Sequence, residues 1–136
     1  MFYVFKKNQV ILFLALIFLV VTAVTLSVYG VDNDVSLCVK FIKNLGYTPE
    51  EAPFDAADIE IPEGFGKVYE NYNELNKEAG FDLTHLRGLT VKRYSFRLKG
   101  EDSLYANILI YENKICGGDI CNPALSGFML PLNPKQ

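Results

Sequence analysis

An uncharged, largely apolar run from Val10 to Val31 is the feature that most constrains this chain. Its 22 residues are enough for a helix to cross the hydrocarbon core of a bilayer, which takes about 20. Lys6 and Lys7 precede the run, and Asp32 and Asp34 follow it. By the positive-inside tendency, this arrangement predicts a cytoplasmic N-terminus and an external position for everything after the run.

A cleaved signal peptide is the alternative to a retained anchor. Signal peptides carry an apolar region of about 7 to 15 residues that ends in small residues at the cleavage site. The segment "TAVTLSVYG" offers no clear small-x-small triplet, and no cysteine for lipidation follows it. We therefore favour a single-pass cell-membrane protein in which residues 1–31 form a cytoplasmic stub and transmembrane anchor and residues 32–136 form an extracytoplasmic domain.

The charge of the predicted external part argues against one class of partner. Apart from Lys6 and Lys7, the chain carries 11 basic and 16 acidic residues, a net charge of −5. Nucleic-acid binding relies on basic surfaces that neutralise phosphates. An acidic domain of this kind predicts no nucleic-acid partner, and the charge is typical of a soluble protein surface.

Two stretches of this part have apolar residues at helical spacing. The first, "DNDVSLCVKFIKNLGY", follows the anchor directly and ends at Gly46. The second, "EGFGKVYENYNELNKEAGF", predicts an amphipathic helix of about four turns that Gly80 ends. "DLTHLRG" then predicts a single capped turn. The predicted apolar faces are Val35, Cys38, Val39, Ile42 and Leu45 in the first helix, and Phe65, Val68, Tyr69, Tyr72, Leu75 and Ala79 in the second.

Strand patterns dominate the rest of the chain. "IEIP" predicts a short strand, and from Leu89 the apolar period changes to two. The apolar parity shifts within "LTVKRYSFRLKG", which predicts a bulge near Lys92 and Arg93. "SLYANILIY" is apolar at nearly every position, as in a central strand covered on both faces, and "ENK" predicts a tight turn, with Asn113 tolerant of positive φ, into a returning strand "ICGGDI".

These elements predict an α+β domain in which amphipathic helices pack on a small antiparallel sheet of three to four strands, preceded by the N-terminal transmembrane helix. The C-terminal tail contains Pro123, Pro131 and Pro134 and should run over the surface. We expect three of its apolar side chains to reach the core: Leu125, Phe128 and Met129.

The cysteines of "ICGGDIC" leave alternatives open. In an extended strand, Cys116 and Cys121 lie roughly 17 Å apart at ~3.3 Å per residue and point to opposite faces, whereas a disulfide needs Cα atoms within about 7 Å. A bridge between them therefore requires a turn. Cys38 could pair with either one, or all three could be free thiols that pack as small hydrophobes. The spacing is not the C-x-x-C of redox enzymes, and a zinc site lacks a second ligand pair, so we predict no metal and no cofactor.

The paired glycines of the same segment need their own explanation. Gly117 and Gly118 side by side in a strand mark a bulge or a flat spot that another backbone or a ligand can approach closely. Asp119 could accept hydrogen bonds from such a partner, and Tyr69 and Tyr72 are further candidates for the binding surface. The structural alternative is that the long helix, through its tyrosines, packs over the glycines while Asp119 caps a local turn.

Other polar groups favour structural interpretations. His85 is the only histidine, and an active site would need a cavity that joins it to Asp119 and a tyrosine. A row of glutamates on the long helix is typical of a solvated face. A basic stripe on one strand could meet anionic lipid or a cell-wall polymer, although such stripes are usually the solvated side of a sheet. The glutamates are Glu70, Glu74 and Glu78, and the stripe is Arg93, Arg97 and Lys99.

Three segments resemble a known family: "YENYNELNKEAGFDLTHLRGLTVKRYSF", "YANILIYENKICGGDI" and "LSGFM". They are similar to the membrane-anchored bacterial proteins grouped as domain of unknown function 4830, found mainly in Gram-positive anaerobes, over about residues 35 to 130. The resemblance implies a single anchor and an extracytoplasmic domain, and brings no activity, cofactor or catalytic residue. It also implies that Gly117, Gly118 and Asp119 matter more to the family than Cys116 and Cys121.

Two functions are consistent with the sequence. The first is a non-enzymatic, membrane-anchored binding or regulatory module for a protein, a peptide or another envelope component. The second is an envelope protein with a thiol- or disulfide-based, redox-linked role. The state of Cys38, Cys116 and Cys121 distinguishes the two.

Overall fold

A computed structural model describes residues 7–124 and 127–136, with side chains given except at 7–8 and 24–32. Residues 1–33 and 34–136 form two separate compact units. The elements in chain order are helix α1 (Lys7–Asn44), strand β1 (Asp55–Glu60), helix α2 (Lys67–Glu78), a 3₁₀ turn (Leu83–Leu86), and strands β2 (Thr90–Arg97), β3 (Tyr105–Tyr111), β4 (Lys114–Cys121) and β5 (Met129–Leu130).

The first unit contains the N-terminal part of α1. The backbone of the predicted anchor is helical, and the large apolar side chains from Val10 to Val21 are exposed. The side chains of residues 24–31, which complete the predicted anchor, lie outside those described, as does the N-terminal stub before Lys7. Among the residues that were described, none of the helices is both long and apolar enough to cross a bilayer.

The second unit is an α+β domain built on a five-stranded antiparallel sheet. The strand order β1-β2-β3-β4-β5 follows the chain, so every strand pairs with its sequence neighbours. The predicted α+β class is confirmed. The predicted count of three to four strands is too low, because the two-residue strand β5 pairs at the edge of the sheet as a fifth strand. Glu112 and Asn113 have φ of 48° and 59° and form the tight turn expected between β3 and β4.

Helices cover both faces of this sheet. On one face, the end of α1 buries Cys38 and Ile42 against Phe96, Ile108 and Ile120. On the other face, α2 and the 3₁₀ turn enclose a smaller cluster that contains Leu83, Leu86, Val91 and Leu109. Burial of apolar side chains on both sides explains why β3 is apolar at nearly every position.

The predicted bulge near Lys92 and Arg93 is wrong. Strand β2 pairs with β1 and β3 without a register shift. Its apolar parity changes because Val91 faces the α2 side of the sheet, whereas Tyr94 and Phe96 face the α1 side. The bulge of this sheet lies between β3 and β4, where Leu109 pairs with Gly117, Ile110 pairs with Ile115, and Cys116 is the extra residue.

The C-terminal tail packs differently from the prediction. Phe128 and Met129 are each 49% exposed, and Leu125 lies outside the described residues. Leu132 is the tail residue that enters the core on the α1 side. Strand β5 reaches β4 only at Ile120 and Cys121, so the side chains of the short edge strand remain largely in solvent.

Candidate functional site

Helix α2 turns a partly polar side toward the sheet. The sequence predicts Val68 on the apolar, buried face, yet Val68 is 82% exposed, whereas the polar Asn73 is buried. Asn76 is fully buried as well. The helix is therefore rotated from the predicted orientation, so that Tyr72, Asn73 and Asn76 point to the domain interior and Val68 points outward.

Asn73 fixes the chain that follows the helix. Its Oδ1 accepts a hydrogen bond from the Leu83 backbone N–H at 2.7 Å, and its Nδ2 donates to Asp82 Oδ1 at 3.0 Å. Asp82 also accepts from the Thr84 backbone N–H, which caps the 3₁₀ turn as predicted. The Thr84 hydroxyl donates to the same oxygen at 2.6 Å, and this hydrogen bond, followed by those from Asn73 and the Thr84 N–H, holds the pKa of Asp82 well below its ordinary value.

Asn76 lies directly over the paired glycines of β4. Its Oδ1 accepts a hydrogen bond from the Gly118 backbone N–H at 2.8 Å. A Cβ at Gly117 would lie 2.6 Å from Asn76 Oδ1 and 2.9 Å from Leu83 Cδ2, and a Cβ at Gly118 would overlap the Asn107 carbonyl oxygen. The close approach that the glycines permit is made here by the chain's own helix, as in the structural alternative.

Asp119 lies at the centre of a buried polar network. Its carboxylate is 3% exposed and accepts hydrogen bonds from the Tyr72 hydroxyl at 2.9 Å and from Asn107 Nδ2 at 3.0 Å. Asn107 in turn accepts from the Ser95 hydroxyl at 2.7 Å. Asp119 therefore links β4 to α2 and β3, and the prediction that it caps a local turn is wrong.

Burial dominates the electrostatics of this network. It raises the pKa of Asp119 above its ordinary value, although the hydrogen bonds from Asn107 and Tyr72 act in the opposite direction. Burial likewise raises the pKa of the Tyr72 phenol, with a further increase from the adjacent Asp119 carboxylate. A tyrosine that stays protonated is a permanent donor to Asp119, which suits a structural link better than proton transfer.

The cysteines occupy three different positions in the domain. Segment 115–121 belongs to strand β4, as predicted, and none of the three cysteines forms a disulfide. The bulge changes the expected geometry, because Cys116 packs with the α2-side cluster while Cys121 accepts a weak hydrogen bond from Asn107 on that same side. Cys38 is fully buried on the α1 side. The expectation of opposite faces for Cys116 and Cys121 therefore does not hold.

Thiol acidity is low at all three positions. Burial, with a smaller contribution from Asp34, raises the pKa of Cys38 to about 12. Burial also raises the pKa of Cys116 to about 11 and increases that of Cys121. Reactive cysteines have thiolates at neutral pH, whereas these groups are protonated there.

An apolar groove runs beside α2, at the edge of the network. It has a volume of about 410 Å³ and is lined almost entirely by apolar atoms. Val68 and Met129 are its exposed apolar members, and Tyr72 connects it to Asp119. The groove brings together two of the predicted binding residues, Tyr69 and Tyr72, and leaves Gly117, Gly118 and Asp119 beneath the helix. The complete lining is Val68, Tyr69, Asn71, Tyr72, Leu75 and Met129.

The remaining polar candidates do not join this groove. His85 lines a separate cavity of about 350 Å³ with Tyr111 and Cys116, away from Asp119. On the basic strand, Arg93 pairs with Asp55 at 2.6 Å and Arg97 lies 3.9 Å from Glu50. On the glutamate row of α2, Glu74 pairs with Lys77 at 2.8 Å. Within the described ranges, no group of three or more histidine, cysteine or acidic residues could hold a metal ion.

Comparison with known proteins identifies a family without a described activity. No curated protein and no solved structure matches the chain. The family model described as Domain of unknown function (DUF4830) matches residues 41–120, which include α2, the 3₁₀ turn, strands β1 to β3 and the paired glycines of β4. That match spans more than half of the 136 residues, and the chain belongs to the DUF4830 family.

Proposed function

We propose that residues 34–136 form a non-enzymatic binding module that takes an apolar segment of a protein or peptide into the α2 groove. The observation that carries the proposal is the groove itself, with its mostly apolar lining and its two exposed apolar members, Val68 and Met129. Exposed apolar side chains that are contiguous in space mark interaction sites more often than isolated ones do. A sugar polymer fits less well, because its hydroxyl groups need hydrogen-bonding partners that an apolar lining lacks.

Two hydrogen bonds hold in place the helix that forms the groove. Tyr72 is held by its hydrogen bond to Asp119, and Asn76 fastens α2 to β4 one turn further along. Binding sites on rigid elements lose little conformational entropy when a partner is bound. The buried polar network thus serves to hold the helix that carries the binding side chains.

In the same proposal the N-terminal helix anchors the module in the cell membrane as a single-pass protein, with its N-terminus in the cytoplasm and residues 34–136 outside. The supporting features are the length of the apolar run from Val10 to Val31 and the lysines that precede it. A redox-linked role is the weaker alternative. The raised pKa values of the three cysteines count against it, because a thiol that stays protonated is a poor nucleophile.

The test is the recovery of a partner from cross-linked native cells by the full-length chain, compared with two variants of the groove. Val68→Glu and Met129→Glu place charges in the apolar lining and should reduce recovery by about tenfold, since each desolvates a carboxylate when the partner binds. Because both side chains are well exposed, the variants should keep the circular dichroism spectrum and thermal midpoint of the wild-type protein.

Leu89→Glu is the matched control. Leu89 is 38% exposed, is apolar and lies outside the groove. This variant should recover the same partner in the same amount as the wild-type chain. Equal recovery by all four proteins, or the lack of any specific partner, would contradict the groove as a binding site.

A further inference from the structure

Asp34 is a buried carboxylate whose hydrogen-bonding capacity is largely unused. It is 2% exposed, and its Oδ2 lies 3.4 Å from both Lys92 Nζ and the Tyr94 hydroxyl. Charge-assisted hydrogen bonds are shorter, at about 2.7 to 2.9 Å for a nitrogen donor. Its Oδ1 has no hydrogen-bond partner within the described part of the chain. A buried carboxylate in this state is unfavourable unless a further donor reaches it.

A cavity of about 330 Å³ adjoins this carboxylate. All the residues that line it belong to the 34–136 unit. Two further carboxylates, Asp58 and Glu112, are on its wall, and neither forms an ion pair with any described residue. Lys92 is the single cation in the lining, so the wall carries two net negative charges. The other lining residues are Thr90, Val91, Ile110, Tyr111 and Asn113.

The chemistry of the wall selects the kind of ligand. The described residues provide no metal-binding cluster of three acidic, cysteine or histidine side chains. The three acidic residues instead line an open cavity that a small organic molecule can fill. A primary ammonium group carries one positive charge and three N–H donors, which matches a carboxylate with an unpaired oxygen and two more acceptors nearby.

We propose that the Asp34 cavity binds a primary ammonium group on a short organic chain, of the ethanolamine class. The ammonium donates to Asp34 Oδ1, and Asp58 and Glu112 supply the remaining negative charge. Asp34 follows the end of the predicted anchor by three residues, so a lipid headgroup is one source of this group and a free amine is the other. This proposal is independent of the α2 groove.

The first test is a titration of the full-length chain with ethanolamine in detergent that contains no amine, followed by the NMR shifts of the backbone amides of Lys92, Glu112 and Asn113. We expect saturable shifts with a dissociation constant of about 1 mM, within the range for a ligand of a few atoms. Choline carries the same charge without N–H donors and should bind at least about fivefold more weakly.

Asp34→Asn should weaken ethanolamine binding by about tenfold or more, because it removes the central charge. Asp102→Asn changes an exposed aspartate outside the cavity and should alter binding by less than about twofold. If Asp34→Asn does not fold, Asp58→Asn combined with Glu112→Gln removes two exposed charges of the wall and should weaken binding about fivefold. The absence of saturable shifts, or unchanged binding in the cavity variants, would overturn the proposal.

Nanodiscs separate the two sources of the ammonium group. If the same three amides shift in phosphatidylethanolamine relative to phosphatidylcholine, the ligand is a lipid headgroup. If only free ethanolamine shifts them, the ligand is a soluble amine. Both results support the ammonium site, and a lack of response to either source contradicts it.

Discussion

The Asn76 amide oxygen and the Gly118 backbone N–H are joined by a 2.8 Å hydrogen bond that ties α2 to β4. Asn76 also donates from its Nδ2 to the Tyr72 carbonyl one turn earlier, so both ends of its amide are engaged. The bond is possible only because no side chain stands at Gly117, where a Cβ would lie 2.6 Å from the same oxygen. This hydrogen bond fixes the position of α2 over β4, and the groove beside α2 depends on that position.

Alanine substitutions at the paired glycines should be strongly destabilising. Gly118 has a φ of 140°, and its Cβ would overlap the Asn107 carbonyl, whereas the Cβ of Gly117 would press on Asn76 and Leu83. We expect Gly118→Ala to lower the free energy of unfolding by about 3 kcal/mol or more, and Gly117→Ala by about 2 kcal/mol. Urea titration of the full-length chain measures both.

Gly64→Ala is the control for that comparison, because Gly64 has open space around it and no positive φ. It should change the free energy of unfolding by less than about 0.5 kcal/mol. A Gly118→Ala variant as stable as Gly64→Ala would show that β4 does not approach β3 and α2 as closely as described.

Tyr72→Phe should destabilise the domain through its buried partner. The substitution keeps the ring and removes the donor to Asp119, which then holds an unsatisfied oxygen. The expected loss is about 2 kcal/mol in the free energy of unfolding. Tyr69→Phe, on the same helix face, should have little effect, since the Tyr69 hydroxyl forms no hydrogen bond within the described part of the chain. Equal effects of the two substitutions would contradict the proposed link between α2 and β4.

Asp119 should make stability fall as pH rises through the acidic range. Because burial raises its pKa in the folded state, the unfolded chain loses this proton first, and the folded state binds more protons between the ordinary value of 3.8 and the raised value. The contribution of Asp119 is therefore greatest below pH 3.8 and decreases above it. In Asp119→Asn this decrease is absent.

The measurement is the free energy of unfolding of both proteins from pH 3.5 to about 7. The difference between them should move in favour of Asp119→Asn as pH rises, whatever constant offset the substitution introduces. A difference that is independent of pH would show that Asp119 has an ordinary pKa in the folded protein.

Thiol alkylation should follow the order Cys121, Cys116, Cys38. Attack on iodoacetamide needs the thiolate, and the pKa values of about 12 for Cys38 and about 11 for Cys116 keep this form rare. Cys38 is also fully buried, so we expect it to react only after unfolding. Mass spectrometry of timed samples gives the three rates, and denaturant should make them equal. A disulfide mapped by mass spectrometry would contradict the finding that the three cysteines are free thiols.

Local patterns predicted most elements of the domain but not their orientation. The period-3.6 segment before Gly80, the capped turn at Asp82 and the turn at Asn113 follow from residue types whose backbone preferences act locally. The rotation of α2 does not follow from such local preferences. Its apolar pattern predicts that Val68 is buried, whereas the packing of the domain buries Asn73 and Asn76 instead. Their buried amides are stabilised by partners that are distant in sequence, the Leu83 N–H and the Gly118 N–H.

The sequence did not predict the polar network either, because the partners in its hydrogen bonds are also distant in sequence. Asn107 and Ser95 face each other across β2 and β3. Asn107 lies in a strand that is apolar at nearly every position, and Ser95 lies between Arg93 and Arg97, whose pattern is typical of a solvated face. The one available signal was the pair of asparagines at helical spacing on α2, opposite a strand with two glycines. A buried asparagine needs a backbone group to bond, and glycines leave that group accessible. The bulge in the β3–β4 pair did have a signal, because Gly117 and Gly118 side by side in a strand mark a bulge or a flat spot and the extra residue, Cys116, directly precedes them.

The order of strands has a consequence for how the chain acquires its structure. Since β1 to β5 pair strictly in the order in which they are synthesised, each new strand finds its partner already present. Strand β1 waits for β2 while α2 and the 3₁₀ turn are made, and each later strand pairs with the strand directly before it, which keeps the sequence separations of these later pairings short and favours rapid folding. A chain that emerges N-terminus first can therefore complete its sheet progressively, and only the final two-residue strand is left to close the edge.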